Sequence, residues 1–159
     1  MGAGKSTVGK ILSASIGYKF IDLDELIEKT SNKKITDIFL NLGEEYFRNL
    51  ETDCLTSVSK DKSNTVISTG GGIVLNPTNI NIIESSGTSI YLKAGIETIW
   101  ERIKEDKGRP LLEVETPFET AGDLLESRKV LYESADIVIE TGSLTPQMIS
   151  DNISELLFT

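Results

Sequence analysis

Met1-Gly2-Ala3-Gly4-Lys5-Ser6-Thr7 opens the chain, and Val8, Ile11, Leu12 and Ile16 follow at helical spacing until Gly17. Gly-Lys-Ser entering a helix is the second half of a Walker A loop, G-x-x-x-x-G-K-[ST]. In such a loop the backbone N–H groups at the helix start, reinforced by the helix dipole, cradle phosphate, the lysine reaches the β- and γ-phosphates, and the hydroxyl holds Mg²⁺. Lys5 and Ser6 occupy those positions here. The first glycine of the pattern falls ahead of Met1, as does the strand that feeds such a loop. Taken alone, the tripeptide is equally well a polar helix start, so its meaning rests on the rest of the chain.

The rest alternates. Tyr18 to Ile21 reads as a short strand running into Asp22-Leu23-Asp24, and Leu26 and Ile27 belong to the helix after it. Ile35, Ile38, Phe39, Leu42, Phe47, Leu50, Cys54 and Val58 describe one long amphipathic stretch, bent at Gly43. Further strands are expected at Thr65 to Thr69, Ser89 to Lys93 and Asp136 to Glu140. Helices are expected at Pro77 to Ser85, on the Ile96, Ile99, Trp100 and Ile103 face, over roughly 120 to 134, and from Pro146 with Ile149, Ile153, Leu156 and Leu157 inward. Strands alternating with helices imply an α/β domain whose parallel sheet carries helices on both faces.

Composition narrows the chemistry. The 159 residues are 38% hydrophobic and 26% charged, enough for one domain with a real core, with no repeat or linker and no apolar run of spanning length. Cys54 is the only cysteine and histidine is absent, which excludes an internal disulfide framework, a cysteine-based zinc cage and any imidazole base. A net charge of −9 disfavours nucleic acid and anionic membranes as partners. An anionic small substrate would need arginines gathered in one pocket, and a cytoplasmic location is the expectation.

Five features supply candidates. Asp22 and Asp24 follow a strand directly, at the sheet edge where ligands bind; Asp22 with Glu25 also makes a fair capping box, which accounts for one aspartate and not the other. Gly70-Gly71-Gly72 ends an apolar strand at an entropic expense that a turn does not require, pointing to close approach to bare backbone. Arg128 sits on the inward face formed by Ala121, Leu124, Leu125, Leu131 and Tyr132, and a guanidinium there needs an anionic partner. Arg48 could simply pair with Glu44 or Glu51 across a helix turn. Arg109-Pro110-Leu111-Leu112 begins a mobile lid, about 108–119, with an arginine at its base, and Arg102 lies shortly before it.

The ordered set of residues 1 to 7, Asp22 with Asp24, Phe47-Arg48 with Glu51, Ser68 to Gly72, Arg109 to Leu112 and Arg128 before Leu131-Tyr132 resembles the shikimate kinases, a P-loop family of the nucleoside-monophosphate-kinase-like group. The resemblance implies a P-loop three-layer sandwich with a central parallel sheet in the order 2-3-1-4-5. It implies ATP-dependent phosphorylation of the 3-hydroxyl of shikimate, in the route to chorismate and the aromatic amino acids. It assigns the nucleotide to Gly2, Ala3, Gly4, Lys5, Ser6, Thr7, Arg102 and Arg109, with Arg102 against adenine, and Mg²⁺ to Ser6 and Asp22. Shikimate falls to Asp24, Arg48, Gly70, Gly71, Gly72 and Arg128, both arginines meeting its carboxylate and Glu51 orienting Arg48. Lys5, Asp24 and Arg109 are the implied catalytic residues.

This chain shows four of the five strands, and the expectation is that roughly ten residues ahead of Met1 complete the central one. The segment Gly142 to Thr145 lacks the basic residue the family often places near adenine. A single domain over 1–159 acting as a monomer is expected. Two other readings share the scaffold: a related small-metabolite kinase such as a gluconate kinase, and a noncatalytic binding or regulatory protein that has kept the fold.

Overall fold

The computed structural model describes residues 2–61, 63–105 and 110–158. Gly4 adopts a left-handed backbone (φ 87°), which a side chain would strain, and turns the chain into α1 (Lys5–Ile16). Gly17, also left-handed, closes that helix and delivers the chain to β1 (Lys19–Asp22). Asp22 ends the strand and caps α2 (Leu23–Ser31), which is followed by α3 (Ile35–Lys60). β2 (Thr65–Ser68) leads through the glycines to a short 3₁₀ turn at Ile73–Leu75 and to α4 (Pro77–Ser86). β3 (Ile90–Lys93), α5 (Ile96–Ile103), α6 (Pro117–Glu133), β4 (Ile137–Glu140) and α7 (Pro146–Phe158) complete the order.

The four strands form two parallel pairs. Lys19 to Asp22 lie opposite Thr65 to Ser68, and Ile90 to Lys93 lie opposite Ile137 to Glu140. β2 and β3 do not bond to each other, and among the described residues no strand lies between them. Thr65 and Ile67 of one pair and Ile90 and Leu92 of the other instead border a cavity of about 300 Å³ that also reaches Lys5, Gly70 and Gly71. The pairing reproduces both flanks of the order expected from the sequence. The register has a direct consequence for chemistry, because it sets Asp22 beside Ser68 at the carboxyl edge.

Helices cover the strands in the expected layers. Val8 and Leu12 of α1 pack with Ile149 and Ile153 of α7 on Leu92 and Ile139. Leu23 and Ile27 of α2 pack with Ile38, Phe47, Cys54 and Leu55 of α3, and there burial pushes the Cys54 thiol up and away from reactivity. Ala94, Ile99 and Ile103 form a third cluster joined by Trp100, Leu112 and Leu125.

Several expectations need correction. The helix expected from residue 120 begins at Pro117, whose fixed φ suits a first helical position, so the last part of the expected lid already belongs to α6. Leu156 is 59% exposed because Ile149, Ile153 and Leu157, at strict i, i+4 spacing, take the buried line of α7. Leu131 stands at the margin of α6, where Ala121, Leu125, Arg128 and Tyr132 run along the packed face. Leu42 is exposed because Gly43 (φ 84°, ψ 169°) breaks the helical phase of α3 directly after it.

Ile27 has no exposed surface and joins α2 to α3. Ile27→Ala is expected to lower stability by about 2 to 5 kcal/mol in urea unfolding, and a loss well under 1 kcal/mol would show that this cluster does not hold the two helices together.

Candidate active site

The phosphate-loop end is built from backbone. No side chain caps the start of α1, so its first-turn N–H groups and dipole are available to an anion. Ser6, in that first turn, donates its hydroxyl to Asp22 Oδ2 at 2.5 Å and lies 3.2 Å from the Ser68 hydroxyl. Asp22 divides its carboxylate: Oδ1 accepts the N–H groups of Asp24 and Glu25 as a helix cap, and Oδ2 faces Ser6. The capping reading of Asp22 is met, and its second oxygen is left facing the start of α1. Sequence reasoning named Ser68 only as the start of the glycine motif and gave it no role; the strand register is what brings its hydroxyl to Ser6.

The glycine loop explains its composition by contact. Its backbone does not enter the left-handed region. A Cβ on Gly70 would come within 2.8 Å of Glu51 Oε1 and 3.3 Å of Asp24 Oδ1, and one on Gly72 would overlap the Arg48 guanidinium. The loop is thus pressed against the side chains assigned to substrate, and glycine is what fits.

Arg48 is held in a fork. Its Nη1 donates to Glu51 Oε2 at 2.8 Å, while Nη2 and Nε reach Glu44 Oε1 at 2.9 and 3.2 Å. The turn-to-turn pairing that the residues alone suggested is present, and it coexists with a place at the glycine loop. Glu51 is fully buried, Glu44 is exposed, and Arg48 lies between. Desolvation opposes the Arg48 charge, but the two carboxylates outweigh it and keep the guanidinium above its ordinary value. For Glu51 burial dominates and raises its carboxyl above the usual range, against the lowering by Arg48. Its Oε1, aimed at Gly70, has no hydrogen-bond partner among the described residues.

Arg128 is only 6% exposed, as its place on the apolar face required. Among the described residues it forms no hydrogen bond or ion pair, although its charge bears on Glu51. One turn later the Tyr132 hydroxyl donates to the Gly71 carbonyl at 2.5 Å and its ring stacks on Tyr91 at 5.1 Å between centroids. Tyr132 looked like plain core from its spacing; its hydroxyl is invisible to periodicity.

Arg102 is exposed and donates to the Gly2 carbonyl at 3.1 Å, at the front of the loop. Arg109, with Asp106, Lys107 and Gly108, lies outside the described residues. Lys5 borders the same cavity as Gly70, Gly71 and Tyr132. No cluster of three or more His, Cys, Asp or Glu able to hold a metal occurs among the described residues. The oxygens that do converge, Ser6 and Asp22 with Ser68 beside them, are hard donors of the kind that hold Mg²⁺ jointly with phosphate and water.

A glycine-lysine-serine loop opening a helix, an aspartate at the neighbouring strand end, and helices on both sides of parallel strands define the P-loop three-layer sandwich of small kinases. The shikimate kinase family model matches residues 1–158, and this chain belongs to that family. It is 43% identical to a shikimate kinase of Persephonella marina over 96% of this chain and 92% of the relative. It is 40% identical to one of Thermodesulfovibrio yellowstonii, covering 96% and 88%. Among solved structures, the Acinetobacter baumannii shikimate kinase in complex with shikimate superposes with a TM-score of 0.95 at 37% identity, covering 99% of this chain and 88% of that one. The Aquifex aeolicus shikimate kinase gives 0.86 at 38%, covering 99% and 91%.

The raised carboxyl of Glu51 carries a pH signature. Folded Glu51 holds its proton more firmly than the unfolded chain does, so the stability it contributes is full below the unfolded value near 4.5 and is lost as pH rises through the folded one. Glu51→Gln should remove that descent from thermal melts recorded above pH 4.5. An identical descent in the variant would mean that Glu51 is not the group responsible.

Proposed function

We propose that this chain transfers the γ-phosphoryl group of ATP to the 3-hydroxyl of shikimate, supplying the route to chorismate. Membership of the family supports the reaction. The observation that carries the substrate is the pair Arg48 and Arg128, one at the glycine loop and one buried on α6, with Arg128 lacking a hydrogen-bonded carboxylate among the described residues. A guanidinium so far removed from water fits an anionic ligand, and a planar carboxylate suits its fork. On binding, that carboxylate takes over from exposed Glu44 on Arg48, while buried Glu51 keeps the guanidinium in place.

The reaction needs little covalent help. A loose phosphoryl transition state gains mainly from alignment and charge neutralisation. Gly4, Lys5, Ser6 and Thr7 hold the phosphates from the start of α1, with Gly2 and Ala3 leading into them and Arg102 on the adenine side. Asp24 accepts the hydroxyl proton and orients the attacking oxygen; its carboxylate lies by Gly70 and Glu51. Lys5 and Arg109 oppose charge on the transferred group. Ser6 and Asp22 would hold Mg²⁺, which neutralises phosphate oxygens as they gain charge. Closure of the loop ahead of α6 would keep water from competing with the hydroxyl. No described helix is long and apolar enough to cross a membrane.

Release of ADP in a coupled assay, with shikimate, gluconate, AMP or no acceptor, tests the reading. Shikimate should give turnover that EDTA abolishes. Turnover with another acceptor and none with shikimate would overturn the substrate, and none with any acceptor would favour a binding protein. Arg128→Ala should weaken shikimate binding in calorimetry by about 2 to 5 kcal/mol while ATP binding changes little, and Arg128→Lys should recover only part of the loss. Unchanged affinity in both variants would return Arg128 to a structural role.

A further inference from the structure

Three consecutive glycines form a loop with little resistance to rotation, yet the loop must present a defined face to a ligand. On one side it is bounded by Glu51, Asp24 and Arg48. Its first peptide is tied within the turn, where the Ile73 N–H donates to the Gly70 carbonyl at 3.2 Å. The next carbonyl, that of Gly71, accepts a bond from sixty-one residues further along the chain, the 2.5 Å bond from the Tyr132 hydroxyl. The peptide between Gly71 and Gly72 is trans and planar, so its N–H points opposite to its carbonyl. Anchoring the Gly71 carbonyl therefore fixes the direction of the Gly72 N–H, which has no protein acceptor among the described residues.

Tyr132 is itself rigidly placed. It lies four residues after Arg128, hence on the same face of α6, and its ring stacks on Tyr91 of β3 with planes 24° apart. One helix thus carries both a buried guanidinium and the hydroxyl that locks the loop facing it.

We propose that Tyr132 is a positioning residue for the substrate: its hydroxyl holds the Gly71–Gly72 peptide in the orientation that aims the Gly72 N–H at the ligand, and it ties that donor to the Arg128 guanidinium on the same helix. The proposal deepens the reading of this site as the shikimate pocket and rests on it. Neither the apolar spacing of α6 nor the family assignment of site residues gives Tyr132 this role.

Tyr132→Phe in the full chain removes one oxygen and retains the ring stack. The KM for shikimate should rise roughly three- to tenfold, the loss of one hydrogen bond between neutral groups, while the KM for ATP and the melting temperature stay near those of the unaltered chain. Tyr91→Phe, which removes the neighbouring hydroxyl of the same stack, should leave all three unchanged. An unaltered KM for shikimate in Tyr132→Phe would overturn the proposal. So would a parallel rise in both KM values with a lowered melting temperature, the mark of general loosening. If the unaltered chain gives no turnover with shikimate, the functional reading fails and this proposal falls with it; normal turnover beside an unaffected Tyr132→Phe condemns the proposal alone.

Discussion

Glu51 has no exposed surface, yet it carries a carboxyl that burial alone would neutralise, and it faces two arginines and an aspartate. Its position makes sense only as part of a cluster. One oxygen holds Arg48 at 2.8 Å; the other looks at Gly70 so closely that a Cβ there would come within 2.8 Å and displace it. Removing Arg48 would leave the Glu51 carboxylate buried without its ion-pair partner, a penalty of about 3 to 5 kcal/mol. The long helix α3 thus carries a largely buried ion pair, Arg48 with Glu51 one turn apart, and sets it against the glycine loop after β2. The apolar groups around them, Phe47, Leu55 and Ile73, keep water from weakening that bond.

The second half of the site depends on register. Because β1 and β2 pair with Asp22 opposite Ser68, two strand ends deliver oxygens to the first turn of α1, where Ser6 meets both. The capping demand of α2 employs the other oxygen of Asp22 and so orients the carboxylate. The Ser6, Asp22 and Ser68 oxygens and the Arg48–Glu51 pair at the glycine loop are thus assembled by unrelated local rules. α6 closes the arrangement from above the glycine loop, through Arg128 and Tyr132.

Much of this was legible in the sequence because the signals are local. The loop at residues 2 to 7, the strand-end aspartates and the inward Arg128 each follow from spacing within a few residues. Arg48 shows where spacing stops: it predicts the pairing with Glu44 and Glu51, and both pairs exist, but the place of the guanidinium against Gly72 is a tertiary contact that spacing does not give. Ser68 and Tyr132 were not legible, since one acts through strand register and the other through a hydroxyl on an apolar face. The errors in the helices have similar causes. Gly43 shifted the phase that Leu42 was read in, and Leu156 fell outside a buried line narrower than its composition suggested.

The central claim is that a cluster organised around Glu51 presents Arg48 and Arg128 to a carboxylate. Calorimetric titration of the full chain with shikimate and, separately, with its methyl ester addresses that claim directly, because esterification removes the charge and leaves the ring hydroxyls intact. Loss of charge-assisted hydrogen bonds should weaken the ester by about 3 kcal/mol, on the order of a hundredfold in Kd. Equal affinities for the acid and the ester would contradict the account, since neither arginine could then be recognising the carboxylate.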